Sequence, residues 1–400
     1  MKIHPFFLCC FLGIISCTGE RPPESSGLVF KVPVDEARTY RFDEVFSIQR
    51  FWFPEPPDRL IFSAVQQMKW YDGYWYLRIE TDQGPGIFRY DQTGAPKGYL
   101  LKQGEGPDAY LYITDYSVGG DSIYILERGR NQITAFHFDR QNRGKSRSFK
   151  GYFANAFEFL ENKNGWVLFT GSENPGNGKW LHFLNRTTGT ITQSTGALDS
   201  IKQHYLFIRE PNNLILQDNQ LQVRFPFNDT IFQLSQDFQL QPVRIIDFGN
   251  YRISQDFYAR PFADIQEFRE GLRKTDYAYY GMNDQEGEDF FLFNYQKDFG
   301  FPLVLHQKNQ ANTRVIKSFE DFIFPGVTLD DQTPDKEFLK YSGGRTLSPD
   351  QMLWLRFYPQ FTTKDNFVKT VRSYMPGSTD EKLEKIWEIN NVFLVAVTVK

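Results

Sequence analysis

Short stretches of alternating apolar and polar residues recur from about residue 60 to the C-terminus, separated by Gly, Asp and Asn. This alternation predicts short antiparallel strands joined by tight turns. Comparison of the chain with itself shows that the strands repeat. Corresponding strands begin at Ile87, Ile133, Trp180 and Thr230, so the spacings between them are 46, 47 and 50 residues. A period of this length indicates a repeated supersecondary unit.

Each of these strands follows another apolar strand, and one more strand lies on either side of each pair. The preceding strands are Tyr74–Ile79, Ser122–Leu126, Gly165–Phe169 and Leu221–Phe225. Four antiparallel strands in each unit predict a β-propeller blade, and a single β-sandwich is the alternative. We therefore expect an all-β fold, a six-bladed β-propeller of four-stranded antiparallel blades.

The last two blades follow a break in the period. Blade 5 is predicted within 277–322, and blade 6 takes Phe338–Tyr341, Met352–Phe357 and Val392–Val399. Because only three strands remain there, we expect Val45–Trp52 to supply the fourth and close the ring. Closure by both ends of the chain removes exposed sheet edges, which favour aggregation.

Two insertions have the spacing of short helices. The first lies near 261–274, where Pro261 precedes apolar residues at helical intervals and suits a first turn. The second lies near 378–388, where Ser378 and Glu381 have the spacing of a capping box. Both helices are expected to interrupt the propeller without altering its fold class.

Aromatic residues make up 17% of the 400-residue chain, with 40 Phe, 21 Tyr and 7 Trp. So many aromatic side chains exclude global disorder. Because each blade packs both faces against its neighbours, we interpret most of them as core between blades. The net charge of −4 argues against a nucleic-acid partner, which requires a concentrated basic surface. The mean hydropathy of −0.49 excludes a polytopic membrane protein.

The N-terminus resembles the export and anchoring segment of bacterial lipoproteins. The apolar run Phe6–Ile15 follows Lys2 and is too short to span a bilayer. It ends in Ile14-Ile15-Ser16-Cys17, which is similar to a lipobox. The resemblance implies a signal peptide over 1–16 and lipidation of Cys17. A polar tether is expected over 17–27, and the propeller predicted from the repeat over 28–400. Cleavage of an ordinary secretory peptide is the alternative.

Lipidation of Cys17 carries expectations about compartment and cysteine chemistry. Several acyl chains on one residue give stable membrane anchoring. Because Thr18 rather than Asp follows the cysteine, we expect the outer membrane, on its periplasmic face or at the cell surface. Cys9 and Cys10 fall in the removed segment. No intramolecular disulfide, zinc cluster or catalytic thiol is therefore expected.

Three further segments resemble a known family. They are Gly104–Tyr110, which is similar to a Gly-x-Gly-Pro-x-x-Tyr pattern, Asn228–Phe232 followed by Ile245–Gly249, and Asn390–Leu394. In this order, and with the lipobox, they resemble the six-bladed β-propeller lipoproteins of Bacteroidota, a family of largely unassigned function. The chain departs from the pattern at Asp108-Ala109, where two acidic residues are usual. The resemblance implies a fold and a compartment, and no activity.

Candidate binding residues lie in the loops that enter each blade and in those between its second and third strands, which emerge on one face. Arg128 and Arg130 are the strongest, because two guanidinium groups can clamp a carboxylate or a sugar acid. As turn residues they can instead pair with Glu127 or Asp121. The candidate ligand-binding residues are Asp82, Asp108, Arg128, Arg130, Asn131 and Asp229.

The sequence identifies no catalytic residue, metal site or cofactor, and it contains no Gly-x-Ser-x-Gly elbow. Three histidines fall in predicted third strands, where a packing role is expected: His137, His182 and His306. We expect a monomeric, membrane-anchored module that binds a glycan, a peptide or an envelope protein. One alternative is a glycan-cleaving hydrolase or lyase with channel carboxylates such as Asp82, Asp108 or Asp229. Another is a structural subunit of an envelope assembly.

Overall fold

Six β-sheets follow one another along the chain in the computed structural model, and each forms one blade of a propeller. The structure describes residues 29–57, 60–100, 103–104, 109–137, 142–148, 154–170, 178–197, 213–217, 220–281, 284–298, 300–328, 352–357, 362–389 and 392–400. The six-bladed, all-β architecture predicted from the repeat is confirmed.

Blades 1 to 4 each contain four antiparallel strands in chain order, as the repeat predicts. The strands of blades 1 and 2 are Phe62–Tyr71, Tyr74–Thr81, Gly84–Asp91, Pro96–Leu100, Asp115–Gly119, Ser122–Glu127, Gln132–His137 and Asn142–Ser148. Those of blades 3 and 4 are Ala154–Leu160, Gly165–Thr170, Lys179–Asn185, Ile191–Ala197, Leu214–Gln217, Gln220–Arg224, Thr230–Leu234 and Leu240–Asp247. The first strands of blades 2 and 3 contact each other, so first strands lie at the centre of the ring.

Blade 5 begins with a first strand in two short pieces. Its strands are Tyr279–Tyr280, Gln285–Glu286, Phe290–Gln296, Leu303–Gln307 and Asn312–Glu320. Three strands of blade 6 are described, and counted inward from the outer edge they are Phe46–Trp52, Phe393–Val399 and Leu353–Phe357. The predicted strand Phe338–Tyr341 lies outside the described residues.

The N-terminal segment lies along the outer edges of three blades, and we call Val29–Trp52 the belt. Val29–Lys31 pairs in parallel with the outer strand of blade 4, and Arg38–Arg41 pairs in parallel with that of blade 5. Phe46–Trp52 then pairs antiparallel with Phe393–Val399. Closure of the ring by both ends of the chain is therefore confirmed, whereas the two parallel strands were not predicted.

Aromatic side chains fill the spaces between blades, as expected. Between blades 2 and 3, the Tyr124 ring lies 4.7 Å from Phe159 and 5.4 Å from Trp166. Between blades 6 and 1, the Trp354 ring lies 5.7 Å from Trp75. All five side chains are buried, apart from small exposed fractions. Burial of such large rings contributes strongly to the hydrophobic stabilisation.

Both predicted helices are present, with caps that differ from those expected. The helix Ile265–Arg273 begins at Asp264, which accepts the Glu267 N–H over 2.9 Å. Pro261 was expected in the first turn and instead lies before the helix, because the Asp264 carboxylate accepts a free N–H of the first turn and fixes the start there. The helix Asp380–Ile389 is capped by Thr379 rather than Ser378, because the Thr379 hydroxyl accepts the Lys382 N–H over 3.3 Å.

Further helices complete the fold. Lys364–Tyr374 was not predicted, and its buried face includes Phe367 and Val371. The short helices and 3-10 turns are Val34–Glu36, Phe42–Val45, Arg128–Arg130, Glu161–Lys163, Gly249–Tyr251, Gln255–Tyr258 and Lys308–Gln310. Within the described ranges, no helix is both long and apolar enough to cross a bilayer.

Candidate functional site

The loops after the second strands and the connections into each blade share one face of the ring, which we call the loop face. This follows from the antiparallel order, because a blade is entered at the end of the sheet where its second strand finishes. Five predicted residues lie there: Asp82 in blade 1, Arg128, Arg130 and Asn131 in blade 2, and Asp229 in blade 4. Asp108 and Cys17 lie outside the described residues.

The two arginines lie on the 3-10 turn Arg128–Arg130 of blade 2. Asn131 follows with a φ of +49°, a left-handed conformation that Asn tolerates better than most residues. The Arg130 guanidinium is 3.4 Å from Glu127 Oε1, so it forms the ion pair expected of a turn residue. The Arg128 N–H donates to Thr114 Oγ1 over 3.1 Å. A ligand-binding role for either arginine stays a prediction.

Glu127 fixes the connection from blade 1 to blade 2 beside this turn. Its side chain is 2% exposed, and Oε1 also accepts the Leu111 N–H over 2.8 Å. The other oxygen accepts the Thr134 hydroxyl over 3.3 Å. A buried carboxylate with these donors holds Leu111 and Tyr112 next to Arg128–Arg130. Sequence reasoning gave Glu127 only as a partner for the arginines, because the Leu111 backbone contact depends on how the blades pack.

Three large apolar side chains are exposed on the loop face of blades 1 and 2, and we call them the apolar patch. They are Ile61, Leu111 and Tyr112, with exposed fractions of 51%, 38% and 54%. Most large apolar side chains of this chain are buried in strands. Sequence reasoning missed the patch, although Leu111-Tyr112 is an apolar pair directly after the Gly104–Tyr110 segment, outside any strand.

Hydrogen bonds join the patch to Asp82. The Ile61 N–H donates to Asp82 Oδ1 over 2.9 Å, and the Asp82 N–H donates to Ile61 O over 3.2 Å. The Gln103 side chain lies against Gly84, two residues from Asp82, and its amide donates to Leu111 O over 3.0 Å. Gln103 therefore links the blade 1 turn that contains Asp82 to the connection that contains Leu111.

Asp229 occupies a separate place on the loop face. Its carboxylate is 3.7 Å from the Arg252 guanidinium, in the connection from blade 4 to blade 5. Blades 1 and 4 stand opposite each other in a ring of six, so Asp82 and Asp229 are not brought together. Two carboxyl groups that cleave a glycoside are only about 5 to 10 Å apart. These two residues do not form such a pair.

Carboxylates of the first strands are occupied by contacts between blades. Lys69 Nζ is 2.6 Å from Glu158 Oε1, and the Ser117 hydroxyl donates to Oε2 over 2.9 Å. The Gln67 side chain donates to Asp115 Oδ1 over 3.0 Å. Four of these residues are each less than a tenth exposed: Lys69, Asp115, Ser117 and Glu158. Their contacts lock blades 1, 2 and 3 together at the centre.

The second strand of each blade carries a buried polar side chain among apolar neighbours. Two of the arginines donate to backbone carbonyls of the next blade, Arg78 to Thr114 O over 3.2 Å and Arg356 to Val65 O. A charged residue within an apolar strand was the available sequence signal. The six residues, one from each blade, are Arg78, Glu127, Thr170, Arg224, Asn294 and Arg356.

Arg224 and Asp284 form a buried ion pair between blades 4 and 5. Arg224 Nε is 2.6 Å from Asp284 Oδ1, and the Tyr280 hydroxyl donates to the same oxygen. Burial lowers the pKa of Arg224, but the Asp284 charge and Tyr280 outweigh this effect and hold the pKa above its ordinary value. Burial raises the pKa of Tyr280, so its hydroxyl stays protonated as a donor.

The three histidines lie in third strands, as predicted. His182 is 1% exposed, and its Nδ1 is 2.8 Å from Ser194 Oγ. His306 Nδ1 is 3.0 Å from Thr313 Oγ1, and His137 Nδ1 is 3.2 Å from Ser122 Oγ. In the described part of the chain, no three His, Cys, Asp or Glu side chains lie close enough together to hold a metal ion.

A cleft of about 480 Å³ lies under the belt at the rim of blade 5. Its walls include Asp35 and Arg38 of the belt, and Asn312, Thr313 and Arg314 of the blade. None of the predicted binding residues lines it.

Comparison with known families identifies the fold independently. The model of the family DUF5128, described as a 6-bladed beta-propeller, matches residues 24–324. The chain belongs to this family. The match covers most of the described blades and agrees with the six sheets of the structure. No curated protein is significantly similar to the chain.

Several solved structures resemble the chain at low sequence identity. A Bacteroides fragilis protein named "Putative exported protein" is 14% identical, with a TM-score of 0.64 over 93% of this chain and 99% of that one. A streptogramin B lyase is 10% identical, with a TM-score of 0.40 over 90% and 100% of the two chains. Kuenenia stuttgartiensis hydrazine synthase is 10% identical, with a TM-score of 0.39 over 84% and 87%. The likeness to the first of these shows a shared fold.

Proposed function

We propose that this propeller is an envelope lipoprotein that binds a protein partner through the apolar patch. The observation that carries the proposal is the exposure of Ile61, Leu111 and Tyr112 on one face of two neighbouring blades. They are three of the five large apolar side chains exposed among the described residues. Apolar side chains with a polar rim are typical of protein interfaces, and tyrosine is enriched among residues that dominate binding energy.

The surroundings of the patch favour a rigid binding surface. Asp82 holds the Ile61 backbone and Glu127 holds that of Leu111. Loops held in this way lose little conformational entropy on binding, so more of the contact energy appears as affinity. Asp82 and the Arg128–Arg130 turn supply a charged rim of both signs.

Binding is favoured over glycan cleavage. The enzymatic alternative requires a pair of free carboxyl groups close together. Of the three carboxylates named for it, Asp82 and Asp229 belong to opposite blades and Asp108 lies outside the described residues. The buried Asp115 and Glu158 accept hydrogen bonds between blades. Among the described loop-face residues of blades 1 and 2, Tyr112 is the exposed aromatic residue, whereas sugar chains usually stack on several.

Anchoring at the envelope rests on the N-terminal sequence. The Ile14-Ile15-Ser16-Cys17 segment resembles a lipobox, and the structurally similar Bacteroides fragilis protein is described as exported. We propose that Cys17 is lipidated and holds the protein at the outer membrane. Replacement of Cys17 by Ala should abolish incorporation of labelled palmitate and release the protein from the membrane fraction. Retention of label and membrane association in the variant would contradict the anchor.

The binding proposal is tested by site-specific photo-crosslinking in cells. A photoreactive phenylalanine at position 112 should give a discrete protein adduct, whereas one at Tyr374, exposed 42% on blade 6, should not give that adduct. With the captured partner purified, Leu111→Asp should weaken its binding by about tenfold or more. Equal adducts at both positions, or unchanged affinity of Leu111→Asp, would refute the proposed surface.

A further inference from the structure

The outer strands of blades 4, 5 and 6 are each covered by a different element. Val29–Lys31 covers the outer strand of blade 4, and Arg38–Arg41 covers that of blade 5. On blade 6, the outer strand Phe46–Trp52 packs against the helix Lys364–Tyr374, where the Phe51 and Tyr374 rings lie 5.6 Å apart. An uncovered edge strand offers free N–H and C=O groups to another strand, so proteins generally protect such edges.

Blades 1 and 2 carry protective residues in their outer strands. Pro96 begins the outer strand of blade 1 and cannot donate a backbone hydrogen bond. Lys97 follows it, with a side chain that is 43% exposed. The outer strand of blade 2 contains three basic residues at alternate positions, Arg143, Lys145 and Arg147. These features oppose pairing with another strand. The proline lacks a backbone donor, and the basic residues would bring like charges together.

The outer strand of blade 3, Ile191–Ala197, has none of these devices. Its sequence, Ile-Thr-Gln-Ser-Thr-Gly-Ala, contains neither a charge nor a proline. It pairs on its inner side with Lys179–Asn185, and no other described strand pairs with it. All seven residues are at least partly exposed. A bulge at Thr192 and the positive φ of Gly196 interrupt the strand, so Gln193–Thr195 is its regular part. This central part contains the β-branched Thr195 and offers an uncharged edge for strand addition.

We propose that Ile191–Ala197 pairs with the same strand of a second copy of this chain. A two-fold symmetric dimer forms through the same surface on both copies, so that surface must be self-complementary. An antiparallel pair of identical strands meets this condition. With the two-fold axis at Ser194, the midpoint of the strand, Gln193 of each copy lies opposite Thr195 of the other. No like charges meet in this arrangement, whereas a two-fold pair of blade 2 edges would bring basic residues together.

The size of this contact sets the strength that we expect. Two seven-residue strands bury less surface than a standard protein interface, so association should be weak and depend on concentration. The sequence predicts a monomer, and a weak dimer is consistent with a chain that is monomeric when dilute. The contact lies on the rim of blade 3, whereas the apolar patch lies on the loop face of blades 1 and 2. The proposal is therefore independent of the proposed binding function.

Cysteine crosslinking tests the pairing. In the full chain with Cys9, Cys10 and Cys17 replaced by Ser, Gln193→Cys places two thiols at diagonal positions about 7 to 8 Å apart. A short bismaleimide should then link two copies. Ser146→Cys, in the middle of the blade 2 outer strand, is the matched control and should crosslink at least about tenfold less. Gln193 is chosen because the Ser194 hydroxyl contacts His182 inside the blade.

A charge variant distinguishes pairing from chance collision. The double variant Gln193→Lys/Thr195→Lys places like charges opposite each other across the proposed two-fold axis. It should weaken dimerisation about tenfold in sedimentation velocity. Its thermal midpoint should match that of the parent, which shows that the fold is retained. Equal crosslinking at positions 193 and 146 would overturn the proposal. A chain that stays monomeric up to millimolar concentration would also overturn the proposal. That result would be expected if an extended segment of this or another protein covers the edge.

Discussion

Lys69 and Glu158 form a buried ion pair between blades 1 and 3, with Nζ 2.6 Å from Oε1. The second oxygen of Glu158 accepts the Ser117 hydroxyl of blade 2 over 2.9 Å. One carboxylate therefore ties three consecutive blades at the centre of the ring. This arrangement makes the pair important for the alignment of the blades.

Removal of one partner should be more damaging than removal of both. Lys69→Met leaves Glu158 buried without its cation and should lower the free energy of unfolding by about 3 to 5 kcal/mol. The double variant Lys69→Met/Glu158→Met removes both charges and should recover a large part of that loss. Chemical denaturation of the parent and both variants measures the effect. A double variant less stable than the single variant would contradict this interpretation.

The stability of blade 3 should depend on pH through His182. Burial lowers the pKa of His182 to about 4, whereas an unfolded imidazole has a pKa of about 6.5. The unfolded state therefore binds the proton first, and stability falls as the pH drops from about 6.5 to about 4. The loss is on the order of 3 kcal/mol. His182→Gln should show a shallower slope of unfolding free energy over this range, and equal slopes would exclude His182 as the cause.

Two glycines with similar backbone conformations should respond differently to alanine. Gly94 has a φ of +87° and lies against the Trp52 indole, while Gly73 has a φ of +81° and open space around it. Gly73→Ala should cost about 1 kcal/mol from backbone strain alone. Gly94→Ala should cost about 1 to 3 kcal/mol more, because the added Cβ displaces Trp52. Thermal unfolding compares them, and equal losses would show that Trp52 adapts freely.

The ionised side chain of Glu286 should stabilise the fold at neutral pH. Burial alone would raise the pKa of Glu286, but Arg244 and Lys308 outweigh burial and lower it to about 2. The carboxylate therefore stabilises the fold above about pH 4.5, and this contribution is lost as the pH falls towards 2. At pH 7, Glu286→Gln should lower the unfolding free energy by about 2 kcal/mol.

A neighbouring glutamate supplies the control for Glu286. Glu288 is exposed in the same turn, and Glu288→Gln should change stability by less than about 0.5 kcal/mol. The difference between Glu286→Gln and the parent should also shrink as the pH is lowered from 5 to 3. A difference that stays constant with pH would indicate a packing effect instead of a charge effect.

The local sequence was sufficient to predict the blades. Alternation of apolar residues in segments such as Tyr74–Thr81 and Lys179–Asn185 reflects strand geometry, and their regular spacing reflects the repeated unit. The sixth blade was predictable because only three strands remained at the C-terminus and one apolar strand remained at the N-terminus. The loop positions of Asp82 and Asp229 followed from the same alternation.

The contacts that these residues make were not predictable in this way. Val29–Lys31 and Arg38–Arg41 are too short to show a period, and their partner strands lie more than 200 residues further along the chain. The helix Lys364–Tyr374 was missed although Thr363 at its cap and Asp365 in its first turn are start signals. For the candidate site, the Ile61 N–H bonds to Asp82 and the Leu111 N–H bonds to Glu127, and each of these bonds connects two separate loops.

The sequence by itself determined the repeat, the class of fold and the use of aromatic residues as core, because these depend on local periodicity and side-chain size. The tertiary structure decided which charges pair. Lys69 and Glu158 are 89 residues apart, and they meet only because first strands converge at the centre of a closed ring. It also decided which apolar residues remain exposed, since exposure depends on what the neighbouring blade covers.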